Sequence, residues 1–427
     1  MSQILDFFAK CLVGCALALA VCGPYTSARA RGVETVRHSF CSKSDCEDGE
    51  TPEGGLIMDG SGNLYGTTSD GGANWGGNVF EIRRDGTYRV LYAFCAQANC
   101  TDGSSPSGNL IMDGAGKLYG TTFMGGTGNS DFGGGGTVFS IDTATGAETV
   151  LYNFCSRRYC NDGQNPAAGV IMDGTGNLYG TTENGGGGVG TGAVFKLARG
   201  GKEKVVYSFD ADGPVSGVIM DSAGNLYGTT VQGGPVEEGD VFEVTPDGTF
   251  KELYAFCSQS NCSDGDQPWA REGLIMDGAG NLYGTTKFGG VNDYGTVFKV
   301  TPAGAETVLY DLCSRRDCSD GANPAAGLMM DGAGNLYGTT LFGVGRHCQD
   351  TPYVCGAVFK LTPDGAETTL YSFCSTRNCT DGGYPAASLI MDSSGNLHGT
   401  TLRGGRGHCM DGCGTVFELS PGGMKKE

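Results

Sequence analysis

Seven copies of one pattern run through this chain, and a repeat of this length leaves few architectures open. The pattern reads Gly-Leu-Ile-Met-Asp-Gly-x-Gly-Asn-Leu-Tyr-Gly-Thr-Thr, a Gly-rich gap, Val-Phe, then Glu-Thr-Val-Leu-Tyr-x-Phe-Cys. Its Asp recurs at Asp59, Asp113, Asp173, Asp221, Asp277, Asp331 and Asp392, 48 to 61 residues apart. Each copy holds four short runs rich in β-branched and aromatic residues, and none shows helical periodicity. A unit this small cannot bury its apolar face alone, so the copies must pack on one another, as in a propeller or another closed array.

The ends of the chain decide between closed and open. The first two runs flank a Gly-x-Gly turn, a hairpin signal, and Pro-Asp-Gly or a similar turn joins the last two. The seventh copy stops at Gly414-Thr-Val-Phe-Glu-Leu-Ser420, without a fourth run. Glu34-Thr-Val-Arg-His-Ser-Phe40 matches the missing piece, as comparison with Glu306 to Leu312 shows. A first strand that completes the last blade pairs an otherwise free edge. The expectation is all-β: a seven-bladed β-propeller of four-stranded antiparallel blades over 31–421, with a short tail at 422–427.

The same units resemble the bacterial GloVer tandem repeats, on Asp-x-x-Gly-Asn-Leu-Tyr-Gly-Thr-Thr and Gly-Thr-Val-Phe across residues 32–420. More distantly they are similar to NHL-type propellers. The first resemblance implies an exported, multi-repeat bacterial protein and no particular activity; the second concerns fold alone.

Residues 1–30 read as a secretory signal, with Lys10 before the apolar run Cys11–Cys22 and a small-x-small site at Ala28-Arg29-Ala30. A lipidated Cys22 is the alternative, and Val21 suits it poorly. Of 19 Cys, removal of Cys11, Cys15 and Cys22 leaves an even 16. Twelve form six Cys-x4-Cys pairs: Cys41/Cys46, Cys95/Cys100, Cys155/Cys160, Cys257/Cys262, Cys313/Cys318 and Cys374/Cys379. Cys348, Cys355, Cys409 and Cys413 complete the set. On an exported chain such pairs read as local disulfides. The expected location is secreted, extracellular or periplasmic. A formal charge of −19 with no basic stripe excludes nucleic acid as a natural partner.

Strand alternation puts the short uniform turns at one end of every blade and the variable loops at the other. The variable end holds every disulfide and both Trp, and binding sites favour variable loops on a rigid scaffold. After each Cys-x4-Cys comes an Asp-Gly turn, giving Asp48, Asp102, Asp162, Asp264, Asp320 and Asp381, with Asp212 as a truncated seventh. A ring of these carboxylates at the channel mouth would suit Ca²⁺, the one cofactor the sequence suggests. The plainer reading is a turn former repeated because the blade is repeated, which also covers the Asp59 set.

Trp75, Trp269, Tyr294, Tyr353 and Tyr384 fall in the same loops and offer rings for sugar stacking, or simply pack there. His347 and His408 accompany the last four Cys, a set with zinc-ligand chemistry that an oxidising compartment would convert to disulfides. His398 stands where six other copies have Tyr. Arg157, Arg158, Arg315, Arg316 and Arg377 sit in Cys-x4-Cys loops, where isolated cations are usually only solvated. No nucleophile elbow, His-Glu-x-x-His or phosphate loop occurs.

Three functions fit this pattern. The foremost is a monomeric binding or scaffold protein for an extracellular polymer or surface component, such as a glycan. The alternative is a metal-dependent lactonase- or lyase-like enzyme with its ion at the channel mouth. A surface-coat role without ligand is the third.

Overall fold

The computed structural model describes residues 32–128, 133–187, 192–210, 213–269, 271–343, 355–409 and 412–420. Their strands form seven separate four-stranded antiparallel sheets, with no α-helix among the described residues. Blades one to six each use four consecutive strands. Blade seven combines Ile390–Met391, Leu397–Thr401 and Thr415–Ser420 with the N-terminal strand Val33–Ser39. Glu34 lies opposite Leu419 and Thr35 opposite Glu418, so the expected strand exchange closes the ring.

Blade two, built from Ile111–Met112, Lys117–Thr122, Thr137–Asp142 and Glu148–Asn153, shows why the repeat reads as it does. Gly120 lies opposite Phe139, and a Cβ there would come within 2.7 Å of the Phe139 ring. The Gly of Tyr-Gly-Thr-Thr is therefore the floor on which the Phe of Val-Phe rests. Thr121 donates its hydroxyl to the Ala168 carbonyl of blade three, 2.7 Å away. Thr122 donates to the Met124 carbonyl within its own blade at 2.9 Å. One Thr joins neighbouring blades and the other fixes the loop leaving the strand.

The Cys-x4-Cys segments depart from the plain loops that the sequence suggests. Each ends in a single 3₁₀ turn whose last residue is the second Cys, as in Ala98–Cys100, Ser260–Cys262 and Arg316–Cys318. The turn aims that Cys carbonyl at the glycines of the same face. Cys100 accepts from Gly103 and Gly126 N–H, both at 2.9 Å, and Cys262 from Gly265 at 2.9 Å and Gly290 at 2.8 Å. Cys318 accepts from Gly321 at 2.9 Å. Three residues make too short a helix to show periodicity, which is why the sequence pattern does not announce it.

One apolar cluster fills each blade interface. Between blades one and two, Tyr65, Val79, Leu91 and Phe94 pack on Leu110, Leu118, Phe139 and Ile141. Phe94 meets Phe139 edge-to-face at 4.9 Å, and Phe154 with Phe195 and Phe256 with Phe298 repeat the contact. Burying each such ring contributes about 2–3 kcal/mol.

Near the axis the inner segments bond directly to one another. Gly217 N–H donates to the Arg271 carbonyl at 2.9 Å. The Glu272 carboxylate, pushed up by burial, accepts from Gly327 N–H at 3.1 Å and Ser388 N–H at 3.2 Å. A Cβ on Gly108 would stand 2.2 Å from the Gly169 nitrogen. Backbone thus meets backbone across neighbouring blades near the axis.

Candidate functional site at the axial mouth

The repeated Asp residues of the loop face are buried beneath the disulfides. Asp162 Oδ2 accepts from Ser156 N–H at 2.9 Å, Ser156 hydroxyl at 2.6 Å and Tyr152 hydroxyl at 2.7 Å. Its Oδ1 accepts from Arg157 N–H at 3.2 Å. Asp102, Asp264, Asp320 and Asp381 repeat the Tyr and backbone bonds. At Asp48, His38 Nε2 takes the Tyr position at 3.1 Å. Burial alone would raise the Asp48 carboxyl, but bonds from His38, Ser42 and Lys43 outweigh it and hold it well below the usual range.

Among the described residues, no three of these carboxylates converge within 4.8 Å. Each closes its own Cys-x4-Cys loop back onto its own outer strand. Among the described residues, the one set of three or more potential metal ligands within 4.8 Å contains none of them. Asp212 lies outside the described residues. The Asp59 set does in the hairpins what its sequence suggests: Asp59 Oδ1 accepts from Ser61 and Asn63 N–H, and Oδ2 from the Tyr65 hydroxyl.

All six Cys-x4-Cys pairs are disulfides: Cys41–Cys46, Cys95–Cys100, Cys155–Cys160, Cys257–Cys262, Cys313–Cys318 and Cys374–Cys379. They do not bury alike. Cys41, Cys155, Cys374 and Cys379 lie in the core, whereas Cys100, Cys262 and Cys318 are only half-buried at the rim of the loop face. These three pairs brace their loops and offer no contact to the axial hollow described below. Cys409 is bonded to Cys413. Cys355 is also bonded, while Cys348 and His347 lie outside the described residues.

Among the described residues, Cys355 packs apart from the Cys409–Cys413 pair. Cys409 and Cys413 pack on Cys41 and Cys46 of the closing blade, with Glu50 alongside. Cys355 packs on Cys374 and Cys379. Each insertion braces the loop of its own blade, because the loop after strand two and the loop after strand four leave a blade at the same end. His408 Nδ1 lies 2.9 Å from the Cys41 carbonyl, and His398 lies 3.4 Å from Asp392 in the Tyr role. Of the loop arginines, Arg157 and Arg315 reach across a blade interface to Glu203 and Glu367, both at 2.7 Å.

The predicted aromatic residues separate into two kinds. Trp75 is 61% exposed and Tyr294 44%, each on its own loop. Tyr353 lies outside the described residues. Trp269 and Tyr384, from blades five and seven, instead line one hollow of about 180 Å³ on the disulfide face. Both reach it by the same turn: the residue before each inner Pro is left-handed, as at Gln267 (φ 52°) and Tyr384 (φ 59°). That conformation frees the N–H for the preceding blade, Gln267 donating to Glu238 and Tyr384 to Cys355.

Ala325, Leu341, Ala386 and Leu402 supply the apolar wall of the hollow, and Glu53, Arg271 and Lys287 its charges. Arg271 forms an ion pair with Glu53, bringing blade five to blade one. Glu183 belongs to the same electrostatic group: burial raises its carboxyl, Arg271 opposes the rise and Glu53 adds to it. The Lys287 ammonium sits 4.7 Å from the Trp269 ring centre, and burial lowers its pKa. Aromatic surface beside paired charges can hold a ring by its face and its hydroxyls by their edges.

None of Glu53, Glu183, Arg271 or Lys287 stands out in the sequence. The signal lies in register: the residue after each Thr-Thr is Ser69, Phe123, Glu183, Val231, Lys287, Leu341 or Leu402. One slot per blade changes chemistry while the Thr-Thr before it stays constant, and three of those seven residues line the hollow.

A closed seven-bladed propeller with disulfide-braced loops around an axial hollow is thus the class that fold and site define. The Gloeobacter/Verrucomicrobia repeat model matches residues 25–214, 97–271 and 187–377, and the chain belongs to that repeat family. No curated protein matches its sequence. Among solved structures, an oligogalacturonate lyase in complex with manganese is similar in fold, at TM-score 0.52 and 12% identity over 91% of this chain and 98% of that one. A gluconolactonase from Xanthomonas campestris (TM-score 0.43, 14% identity, 93% of each chain) is similar too. So is a puromycin hydrolase (TM-score 0.47, 12% identity, 82% of this chain and 50% of that one). The disulfides fit an extracellular or periplasmic protein, and no described helix is long and apolar enough to cross a membrane.

Proposed function

We propose that this is an exported propeller that binds an extracellular glycan, seating a terminal or exposed sugar ring in the hollow between Trp269 and Tyr384. The observation that carries this reading is convergence. Two aromatic residues from different blades meet the Arg271–Glu53 pair at the axis, at positions where the copies of the repeat differ. Sugar recognition needs an apolar face for the C–H side of the ring and directional polar groups for its hydroxyls. Backbone bonds from Gln267 to Glu238 and from Tyr384 to Cys355 fix the segments that carry those groups, which reduces the ordering cost of binding. The signal-like first 30 residues would deliver the chain to the compartment where such polymers and disulfides occur.

Titration of the mature, oxidised protein against a panel of oligosaccharides tests the reading. Saturable binding is expected, with Trp269→Ala and Tyr384→Ala each weakening it at least about tenfold. Trp75→Ala, on a separate exposed loop, should leave it unchanged. Absence of binding across the panel, or equal loss in the Trp75 variant, would count against it.

A further inference from the structure

A second hollow lies on the opposite face, between blades two and three, and seven-fold repetition explains why it is there. In every blade the second-strand aromatic residue faces one residue of strand three. The pairs are Tyr65–Glu81, Tyr119–Ser140, Tyr179–Lys196, Tyr227–Glu243, Tyr283–Lys299, Tyr337–Lys360 and His398–Glu418. Six partners are long and charged. Lys196, Lys299 and Lys360 hold their ammonium groups 5.0 to 5.7 Å from the ring centres, and Glu81 and Glu243 lie 3.5 Å from the Tyr hydroxyls. Blade two alone has a short residue, Ser140. No side chain from strand three spans the Tyr119 ring.

A hollow of about 620 Å³ opens at that point, within the size range of small-molecule sites. Tyr119, Leu151, Met172 and Leu197 line its interior. Ser140, one of the lining residues, is fully buried, and its Oγ has no hydrogen-bond partner. A buried hydroxyl left so costs free energy that a ligand can recover. The cleft between blades seven and one shows the filled state: Glu418 stands in the Ser140 position and pairs at 3.3 Å with Arg37, which stands in the Leu151 position.

Charge selects the ligand. Lys117 and Arg199 line the hollow, and the Lys and Arg ion pairs of the described residues all lie elsewhere. Asp113 and Asp173 line it too, each bonded within its own hairpin, and Lys117 also acts on Asp113 and Asp142. Asp113 accepts from Ala115 N–H, Lys117 N–H and the Tyr119 hydroxyl. Asp173 accepts from Thr175, Asn177 and the Tyr179 hydroxyl. Two cations in no close ion pair, above an uncovered ring and an apolar floor, suit an anion with a flat or apolar body.

We propose that this cleft binds a small carboxylated ring, its face against Tyr119, its carboxylate on Lys117 and Arg199, and a polar atom on Ser140 Oγ. The site is independent of the axial mouth and stands or falls separately from the glycan reading. A uronic acid unit and an aromatic acid share this chemistry. Galacturonate, benzoate and their neutral counterparts galactose and benzamide would be titrated into the oxidised protein by calorimetry. Ser140→Lys and Ser140→Glu install the residues that the other six blades carry, so they should fold, as a melting curve would verify.

At least one acid should saturate the wild-type protein, its neutral counterpart binding about tenfold more weakly. Ser140→Lys and Arg199→Gln should each weaken the acid by at least about tenfold. Galacturonate alone would assign a sugar ligand and benzoate alone an aromatic one; both outcomes support the site. Unchanged binding in folded Ser140→Lys and Ser140→Glu proteins overturns it, as does failure of both acids to saturate.

Discussion

The two faces of this ring use the same residue for the same purpose at different depths. On the hairpin face Asp173, partly exposed, caps a tight turn through Thr175 and Asn177. On the loop face Asp162, fully buried, ties down a disulfide loop through Ser156, Arg157 and Tyr152. Both sets recur around the ring because a repeated blade repeats its supports. The hollows arise where copies disagree: Trp269 and Lys287 at the axis, Ser140 in the cleft. In a tandem repeat, recurrence marks scaffold, and departure from the other copies marks a site.

Removing one Asp from each face measures that difference in depth. Asp162→Ala strands two backbone donors and a Tyr hydroxyl under a disulfide and should cost about 3 kcal/mol in chemical denaturation. Asp173→Ala exposes its donors to water and should cost about 1 kcal/mol. Equal losses would break the comparison. Cys155→Ser with Cys160→Ser comes next, since closing so short a loop contributes about 2 kcal/mol. Its loss should add less than fully to that of Asp162→Ala, because both act on one loop.

Acidity also separates the carboxylates. At the start of strand four, burial and a loop-face Asp of the preceding blade push Glu34 up to about 8 and Glu148 and Glu306 to about 7. Asp381, Asp102 and Asp264 are the respective neighbours, and Asp311 also bears on Glu306. On the hairpin face Asp59 and Asp113 are held below the usual range, their backbone and side-chain bonds outweighing burial. Between the unfolded Glu pKa and these raised values the folded chain keeps protons that the unfolded chain releases. Stability therefore falls as pH rises from about 4.5 to 8 and is level above that. The hairpin Asp contribution is present above about pH 4 and is lost only in stronger acid. The melting temperature should peak near pH 4 to 5, and Glu34→Gln should flatten the alkaline side. A maximum at pH 8 would contradict this sign.

Much of the fold is legible in the sequence because each repeated residue has a local task. Gly120 must admit Phe139, Thr121 must reach Ala168, and Glu34-Thr-Val has no blade to join except the last. The candidate site is less legible. Trp269 and Tyr384 share a residue class with Trp75 and Tyr294, and only the curvature of the ring brings blades five and seven to one hollow. Arg271 and Glu53 are 218 positions apart, and no local pattern announces their meeting. The destination of Cys409 and Cys413 was hidden for the same reason, since their neighbours Cys41 and Cys46 arrive from the other end of the chain.

The smallest expected effect concerns Ca²⁺, and it bears most directly on the repeated Asp residues. An ion takes six to eight oxygen ligands, so carboxylates that hold one must converge and leave lone pairs open. Here Asp102 is engaged by Tyr92, Ala96 and Gln97, and Asp320 by Tyr310, Ser314 and Arg315, on separate blades. An ion would have to displace those bonds one loop at a time. Melting the oxidised protein with excess Ca²⁺ and with chelator should therefore give curves within about one degree. A ligand at 100 times its dissociation constant would add about 2.7 kcal/mol and move the curve visibly. A shift of that size, lost in Asp102→Asn and Asp320→Asn proteins, would show that recurrence can mark a site after all, and would raise the ion-dependent enzyme above the glycan reading.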